Sequence, residues 1–119
     1  MLPKKHRFHG RAALRRVFLK GQTKRSRNFI IKYVATQPDR PTRVAVVVSK
    51  KIYKSAVKRN RIRRRIFNIV RHEQKLEKLG YDTIITVISQ DVLLLPHDDL
   101  IQEITKLVTR LQYIDVDRS

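Results

Sequence analysis

The sequence predicts an α+β fold, a two-layer α/β sandwich in which a small central mixed sheet carries three helices. Segments with apolar residues at helical spacing alternate with short β-branched runs, in the order helix, strand, strand, helix, strand, helix. The chain has 119 residues, 41% of them hydrophobic and none of them cysteine. One core can therefore form without disulfides, and residues 1–119 are expected to be a single domain.

The first half of the chain supplies one helix and two strands. Residues 1–10 are a basic arm, and residues 11–20 have helical spacing that Gly21 can end. Residues 29–35 (FIIKYVA) alternate, so their odd-numbered side chains share one face. After a turn marked by prolines and Asp39, residues 43–49 (RVAVVVS) are apolar on both faces, which is typical of a central strand.

The second half continues with a helix, a strand and a helix. A long helix is predicted over residues 56–79, ended by Gly80. Residues 83–88 (TIITVI) form another buried strand. The last helix begins near Asp98 and Asp99, whose charges suit the positive end of a helix dipole.

The charge of +18 is distributed unevenly. Residues 1–65 contain 22 Lys and Arg and one acid, whereas residues 66–119 contain 6 Lys and Arg and 9 acids. A protein that is merely soluble has mixed signs over its surface, so this asymmetry favours a polyanionic partner. No segment is long and apolar enough for a membrane span or a signal peptide, and we expect a cytoplasmic protein without a membrane partner.

The long helix places its cations on one side. At 100° per residue, Ile62, Ile66 and Ile69 share an apolar arc, and guanidinium and amide groups lie opposite. A solvated surface would predict ion pairs at i,i+4, but the first acid after Asp39 is Glu73. Guanidinium groups bind phosphate oxygens bidentately. The predicted RNA-binding residues are Lys50, Lys51, Lys54, Lys58, Arg59, Asn60, Arg61, Arg63, Arg64, Arg65, Asn68 and Arg71.

Catalysis by the protein itself has little support in the sequence. Metal-dependent nucleases need clustered carboxylates, and the acids at positions 82, 91, 98 and 99 are scattered over strand ends and a helix start. The histidines have no evident ligand partners, and no metal site is predicted. Among the aromatic residues, Phe29 is expected in the core and Tyr53 on the surface, while Phe18 is equally compatible with the core and with base stacking.

Two motifs carry a family resemblance. V-S-K-K at residues 48–51 ends a strand, and A-V-K-R-N-R-I-R-R at residues 56–64 opens the following helix. In these motifs, and in V-F-x-x-G at residues 17–21, the chain resembles the protein subunit of bacterial ribonuclease P. The resemblance implies a protein that binds a catalytic RNA, one protein per RNA, and assists Mg²⁺-dependent cleavage of the 5′ leader from precursor tRNA. It also implies that the RNA holds the Mg²⁺ and performs the hydrolysis, and that the strand–helix–strand crossover is left-handed.

The resemblance assigns a leader-binding cleft to the surface between the first helix and the sheet. Phe18 corresponds to one of the cleft's aromatic residues. Leu14 and Lys32 stand where relatives often carry a second aromatic residue and an outward Tyr, and Phe67 stands where an Arg is usual. Two alternatives remain open from the sequence, a structural protein bound to ribosomal RNA and a stand-alone nuclease.

Overall fold

A computed structural model describes residues 11–35, 43–73 and 81–118 of the chain. The predicted basic arm, the turn around Asp39 and the predicted end of the long helix lie outside the described residues. None of the described helices is long and apolar enough to cross a bilayer.

The described residues form three α-helices, four strands and one short 3-10 helix, which confirms the predicted α+β class. The elements are α1 (Arg11–Lys20), β1 (Gln22–Arg25), β2 (Phe29–Ala35), β3 (Arg43–Val47), α2 (Ala56–Glu73), β4 (Tyr81–Val87), the 3-10 helix (Gln90–Leu94) and α3 (His97–Arg118). The sheet order is β1-β2-β4-β3. Strand β2 is antiparallel to both its neighbours, whereas β3 and β4 are parallel, so the sheet is mixed as predicted.

One face of the sheet carries the main hydrophobic core. Odd-numbered residues of β2 and β4 and even-numbered residues of β3 meet there, because neighbours in register point to the same side. Helices α2 and α3 cover this face and contribute buried residues such as Ile62, Ile66, Leu100 and Ile104. The sheet, α2 and α3 thus enclose the main core on this face.

Helix α1 packs on the opposite face. Its Val17 is fully buried against Ile84 of β4, with Leu14 partly buried beside them. The helix ends at Gly21, whose N–H donates to the carbonyl of Val17 at 2.8 Å. A Cβ at Gly21 would lie 2.3 Å from that carbonyl oxygen and 3.0 Å from the carbonyl oxygen of Tyr33. The close approach of α1 to β2 therefore requires glycine at this position.

The sequence predicts a central strand over residues 43–49, and this prediction is wrong. Strand β3 lies at the edge of the sheet and pairs with β4, while β2 and β4 are central. Val44 and Val46 lie in the core beneath α2, whereas Ala45 and Val47 are partly buried on the α1 side. Helices cover both faces of an edge strand here, which produces the same apolar pattern as a central strand. The left-handed sense of the β3–α2–β4 crossover stays a prediction.

Two polar contacts hold the periphery to this core. Arg43 of β3 donates from Nε and Nη2 to the buried carboxylate of Asp82 at 2.8 and 2.7 Å, and this hydrogen bonding raises the pKa of Arg43. Glu103 of α3 accepts hydrogen bonds from the backbone N–H and side-chain amide of Asn28 at 2.9 and 2.7 Å, and from the hydroxyl of Ser26. The second contact fixes the turn between β1 and β2 against α3.

Candidate RNA interface

Helix α2 separates an apolar side from a basic side, as its sequence predicts. Ile62 and Ile66 are fully buried and Ile69 and Val70 nearly so, against the sheet and α3. The opposite side is exposed to solvent. The exposed predicted residues of α2 are Lys58, Asn60, Arg61, Arg64, Asn68 and Arg71, while Arg59, Arg63 and Arg65 are partly buried.

Several of these cations have no partner in residues 11–35, 43–73 and 81–118. Within the part of the chain that the structure describes, the side chains of Arg61 and Arg64 make no hydrogen bond or ion pair, nor do those of Lys50, Lys51, Lys54 and Lys58. The four lysines lie at the N-terminus of α2 and in residues 50–55, which we call the lysine link. Like charges on a rigid helix repel one another, and an anionic partner removes that repulsion.

Asn60 and Arg63 are coupled to each other. Arg63 Nη2 donates a hydrogen bond to Asn60 Oδ1 one helical turn away. The contact uses the carbonyl oxygen of Asn60, and the amide N–H groups of Asn60 and the other guanidinium N–H groups of Arg63 have no partner among the described residues. Both side chains therefore present donors to any anion that approaches this side of α2.

Arg59 and Arg65 differ from the other arginines of α2. Arg59 Nη1 donates to the carbonyl oxygens of Tyr53 and Lys54, both at 2.9 Å. Arg65 donates to the carbonyl oxygens of Val92 and Leu95 at 3.4 and 3.2 Å. These two guanidinium groups attach the lysine link and the 3-10 helix to α2, so part of their hydrogen-bonding capacity serves the fold.

Tyr53 is buried, and its predicted exposure is wrong. Its side chain is 8% exposed; the hydroxyl donates to the carbonyl of Gln90 and accepts from the N–H of Leu93 at 3.0 Å. Burial raises the pKa of Tyr53, the Leu93 hydrogen bond opposes that shift, and the charge of Asp91 adds to it. The partners lie about forty residues along the chain, so no local sequence signal indicated them.

The predicted leader-binding residues lie together on the α1 face of the sheet. Phe18 is 47% exposed, and Lys32 Nζ lies 5.3 Å from the centroid of its ring, which is a cation–π distance. Leu14 of α1 is partly buried and packs against Val17 and Ile84. Strand β1, which the sequence did not reveal, places Thr23 in register with Lys32. The polar strand QTKR has no apolar alternation by which it could have been found.

The carboxylates in the described part of the chain serve structural contacts or lie apart. Asp82 is paired with Arg43, and Asp91, Asp98 and Asp99 are exposed near helix starts. Among the described residues, no group of three or more His, Cys, Asp or Glu could hold a metal ion.

The comparisons with known proteins agree in one family. The Ribonuclease P family model matches residues 2–112. The chain is 33% identical over 112 residues to the ribonuclease P protein component of Petrotoga mobilis, covering 92% of this chain and 93% of the relative. It is 30% identical over 91 residues to that of a Synechocystis strain, covering 76% of this chain and 73% of the relative.

Solved structures show the same fold. The Thermotoga maritima ribonuclease P protein, in complex with 1-(4-fluorophenyl)-2-thiourea, superposes with a TM-score of 0.77 at 19% identity, covering 87% of this chain and 98% of that one. The Staphylococcus aureus protein superposes with a TM-score of 0.68 at 23% identity, covering 94% and 96%. Because the family model and these relatives match most of its length, the chain belongs to the ribonuclease P family, as a protein component with a role in tRNA 5′ processing.

Proposed function

We propose that the chain binds the catalytic RNA of ribonuclease P through the exposed side of α2 and the lysine link, one protein per RNA. The observation that carries the proposal is a set of cations without a partner among the described residues, with Arg61 and Arg64 at its centre, on a helix whose other side is buried. The helix fixes the backbone positions of these cations before RNA arrives, so their own side chains are the main groups that lose freedom on binding.

The RNA partner carries the chemistry in this proposal. Among the described carboxylates, Asp82 and Glu103 are committed to Arg43 and Asn28. We assign the Mg²⁺ mainly to the RNA subunit. The protein contributes by reducing repulsion, because two RNAs that dock together bring their phosphates close and otherwise demand more Mg²⁺ to neutralise them.

The α1 face is the proposed site for the 5′ leader of precursor tRNA. Phe18 offers an exposed ring on which an unpaired base can stack, and Lys32 beside it offers a cation for the neighbouring phosphate. Leu14 would support Phe18 from below, since it is packed with Val17. The leader is single-stranded, which suits a site made of one stacking platform and a few cations.

A magnesium titration of leader cleavage tests the function. Precursor tRNA is incubated with the catalytic RNA, with and without the protein, over a series of Mg²⁺ concentrations. We expect the protein to raise the cleavage rate most at low Mg²⁺. Equal rates at every Mg²⁺ concentration would reject the proposal, and cleavage by the protein without RNA would favour a stand-alone nuclease.

The salt dependence of RNA binding tests the electrostatic part separately. If the protein neutralises about six to eight phosphates, the logarithm of the association constant should fall against the logarithm of salt concentration with a slope of about −4 to −7. A slope near zero would mean that the basic side of α2 does not contact the RNA.

A further inference from the structure

A groove beside the basic side of α2 combines cationic, apolar and acidic walls. It has a volume of about 560 Å³ and lies between the lysine link and the 3-10 helix. Both segments directly follow parallel strands, β3 and β4, at their carboxyl ends, which is where crevices form in α/β sheets. Small-molecule sites typically span about 300–1,000 Å³, so the groove is large enough for a nucleotide.

The cationic wall consists of Lys51, Lys54 and Lys58. All three are exposed, and their side chains have no partner among the described residues. Lys58 belongs to α2 as well, so the groove is continuous with the proposed RNA-binding side of that helix. Phosphates bound along α2 could therefore continue into the groove.

The opposite wall is apolar and ends in a carboxylate. Leu93 of the 3-10 helix is partly buried there, and Leu94 is 83% exposed, more than any other large hydrophobic residue in the described part of the chain. Asp91 lies on the same wall. A carboxylate repels phosphate but accepts hydrogen bonds from the amino and imino groups of a base.

The walls are fixed relative to each other. The hydroxyl of Tyr53 joins the lysine link to the 3-10 helix through Gln90 and Leu93, and Arg65 holds the far end of that helix to α2. The groove is thus formed before any ligand binds, which lowers the entropic cost of occupying it.

We propose that this groove binds one unstacked nucleotide of the catalytic RNA. Its base lies against Leu94 with a donor edge at Asp91, and the flanking phosphates meet Lys51, Lys54 and Lys58. The catalytic RNA is favoured over the leader because the groove adjoins α2, whereas Phe18 and Lys32 lie on the α1 face. The inference rests on the proposed function and adds a base-contacting site to it.

The direction in which one substitution changes RNA affinity distinguishes a base contact from general electrostatic attraction. Asp91→Ala removes a negative charge near the RNA, so simple electrostatics would strengthen binding to a catalytic-RNA transcript. If Asp91 accepts from a base, the same substitution should weaken binding at least about 5-fold. Asp98→Ala, at an exposed acid on α3, is the matched control and should not weaken it. Unchanged or stronger binding by the Asp91→Ala variant would overturn the proposal.

Leu94→Ala provides a second, uncharged test. Because the side chain is exposed, the melting temperature should not change, while affinity for the transcript should fall about 5-fold with an unchanged salt slope. Leu19→Ala, at a leucine 72% exposed on α1, is the matched control. Acylation of RNA 2′-hydroxyls should show one nucleotide that the protein protects and the Leu94→Ala variant does not.

The outcomes distinguish this inference from the proposed function. If Arg61→Ala weakens binding but the Leu94 and Asp91 substitutions do not, the groove has no base in it and the RNA-binding proposal stands. If none of the three weakens binding, the proposed function fails as well. If Leu94→Ala affects only the affinity of the assembled complex for leader-bearing tRNA, the assignment to the catalytic RNA is wrong.

Discussion

Neighbouring arginines on α2 should give opposite results when each is replaced by alanine. Arg64 is exposed and has no partner within the described residues, whereas Arg65 donates to the carbonyls of Val92 and Leu95. Arg64→Ala should therefore weaken RNA binding and leave the fold intact. Arg65→Ala should destabilise the fold and alter the salt slope less.

The magnitudes follow from the contacts. Arg65 makes two hydrogen bonds to backbone carbonyls at 3.4 and 3.2 Å, long enough that together they contribute about 1–2 kcal/mol. In a domain of this size each kcal/mol corresponds to about 3–5 °C, so the melting temperature of the Arg65→Ala variant should fall by about 3–10 °C. For the Arg64→Ala variant we expect a change within about 0.5 kcal/mol in stability.

The binding side is measured by titrating a catalytic-RNA transcript at several salt concentrations. The Arg64→Ala variant loses one phosphate contact. Its salt slope should therefore be less negative by about 0.7–0.9, and its affinity should fall about 5-fold. Arg65→Lys serves as the control, since it keeps the charge and loses the planar donor pair. It should lower the melting temperature and leave the slope unchanged.

One result would refute the reasoning. If Arg65→Ala and Arg65→Lys melt like the unsubstituted protein, and Arg65→Ala reduces the slope as much as Arg64→Ala, then Arg65 binds RNA and the contacts to the 3-10 helix contribute nothing to stability.

Three further predictions concern contacts that the structure revealed. Glu103→Ala should lower the free energy of unfolding by about 2–4 kcal/mol, because buried Asn28 loses the acceptor for two N–H donors; an unchanged urea midpoint would contradict this. Tyr53→Phe should cost about 1–2 kcal/mol at neutral pH. Burial raises the pKa of Tyr53 above its ordinary 10.0, so this residue ionises first in the unfolded chain as the pH rises through 10. The free energy of unfolding of the unsubstituted protein should then fall, and its difference from that of the Tyr53→Phe variant should narrow. A constant difference from about pH 8 to 11 would contradict this prediction. Phe18→Ala should weaken binding of leader-bearing precursor tRNA about 5-fold and leave mature tRNA unaffected, as measured by competition with the assembled complex; equal losses for both would mean that Phe18 does not stack on the leader.

The spacing of apolar residues along the sequence was sufficient to predict the helices and to predict which side of α2 carries the exposed cations. Residues spaced at 3.6 along α2 must face the same way in any helix, so burial of Ile62 and Ile66 followed from the sequence. Exposure of Arg61 and Arg64 on the other side followed for the same reason. The strands β2 and β4 were also predicted, because their apolar runs are long enough to span a core.

Position within the sheet was not predictable in the same way. A strand such as β3 is apolar on both faces if it is central, and also if it lies at an edge that helices cover. Its edge position follows from the fact that it pairs with β4 alone. Strand β1 is polar and four residues long, and it exists as a strand because it pairs with β2. Local propensity carries no information about such partners.

The sequence alone determined that this is a small α+β domain with a fixed, unneutralised basic helix, since charge and helical phase are properties of the chain. The tertiary structure decided which of those cations are available. Arg59 and Arg65 hydrogen-bond to carbonyls that folding brings near, and Tyr53 is buried against residues about forty positions away. Contacts between distant segments form only when the chain folds. The sequence therefore could not show which arginines of α2 stabilise the fold and which are available to bind RNA.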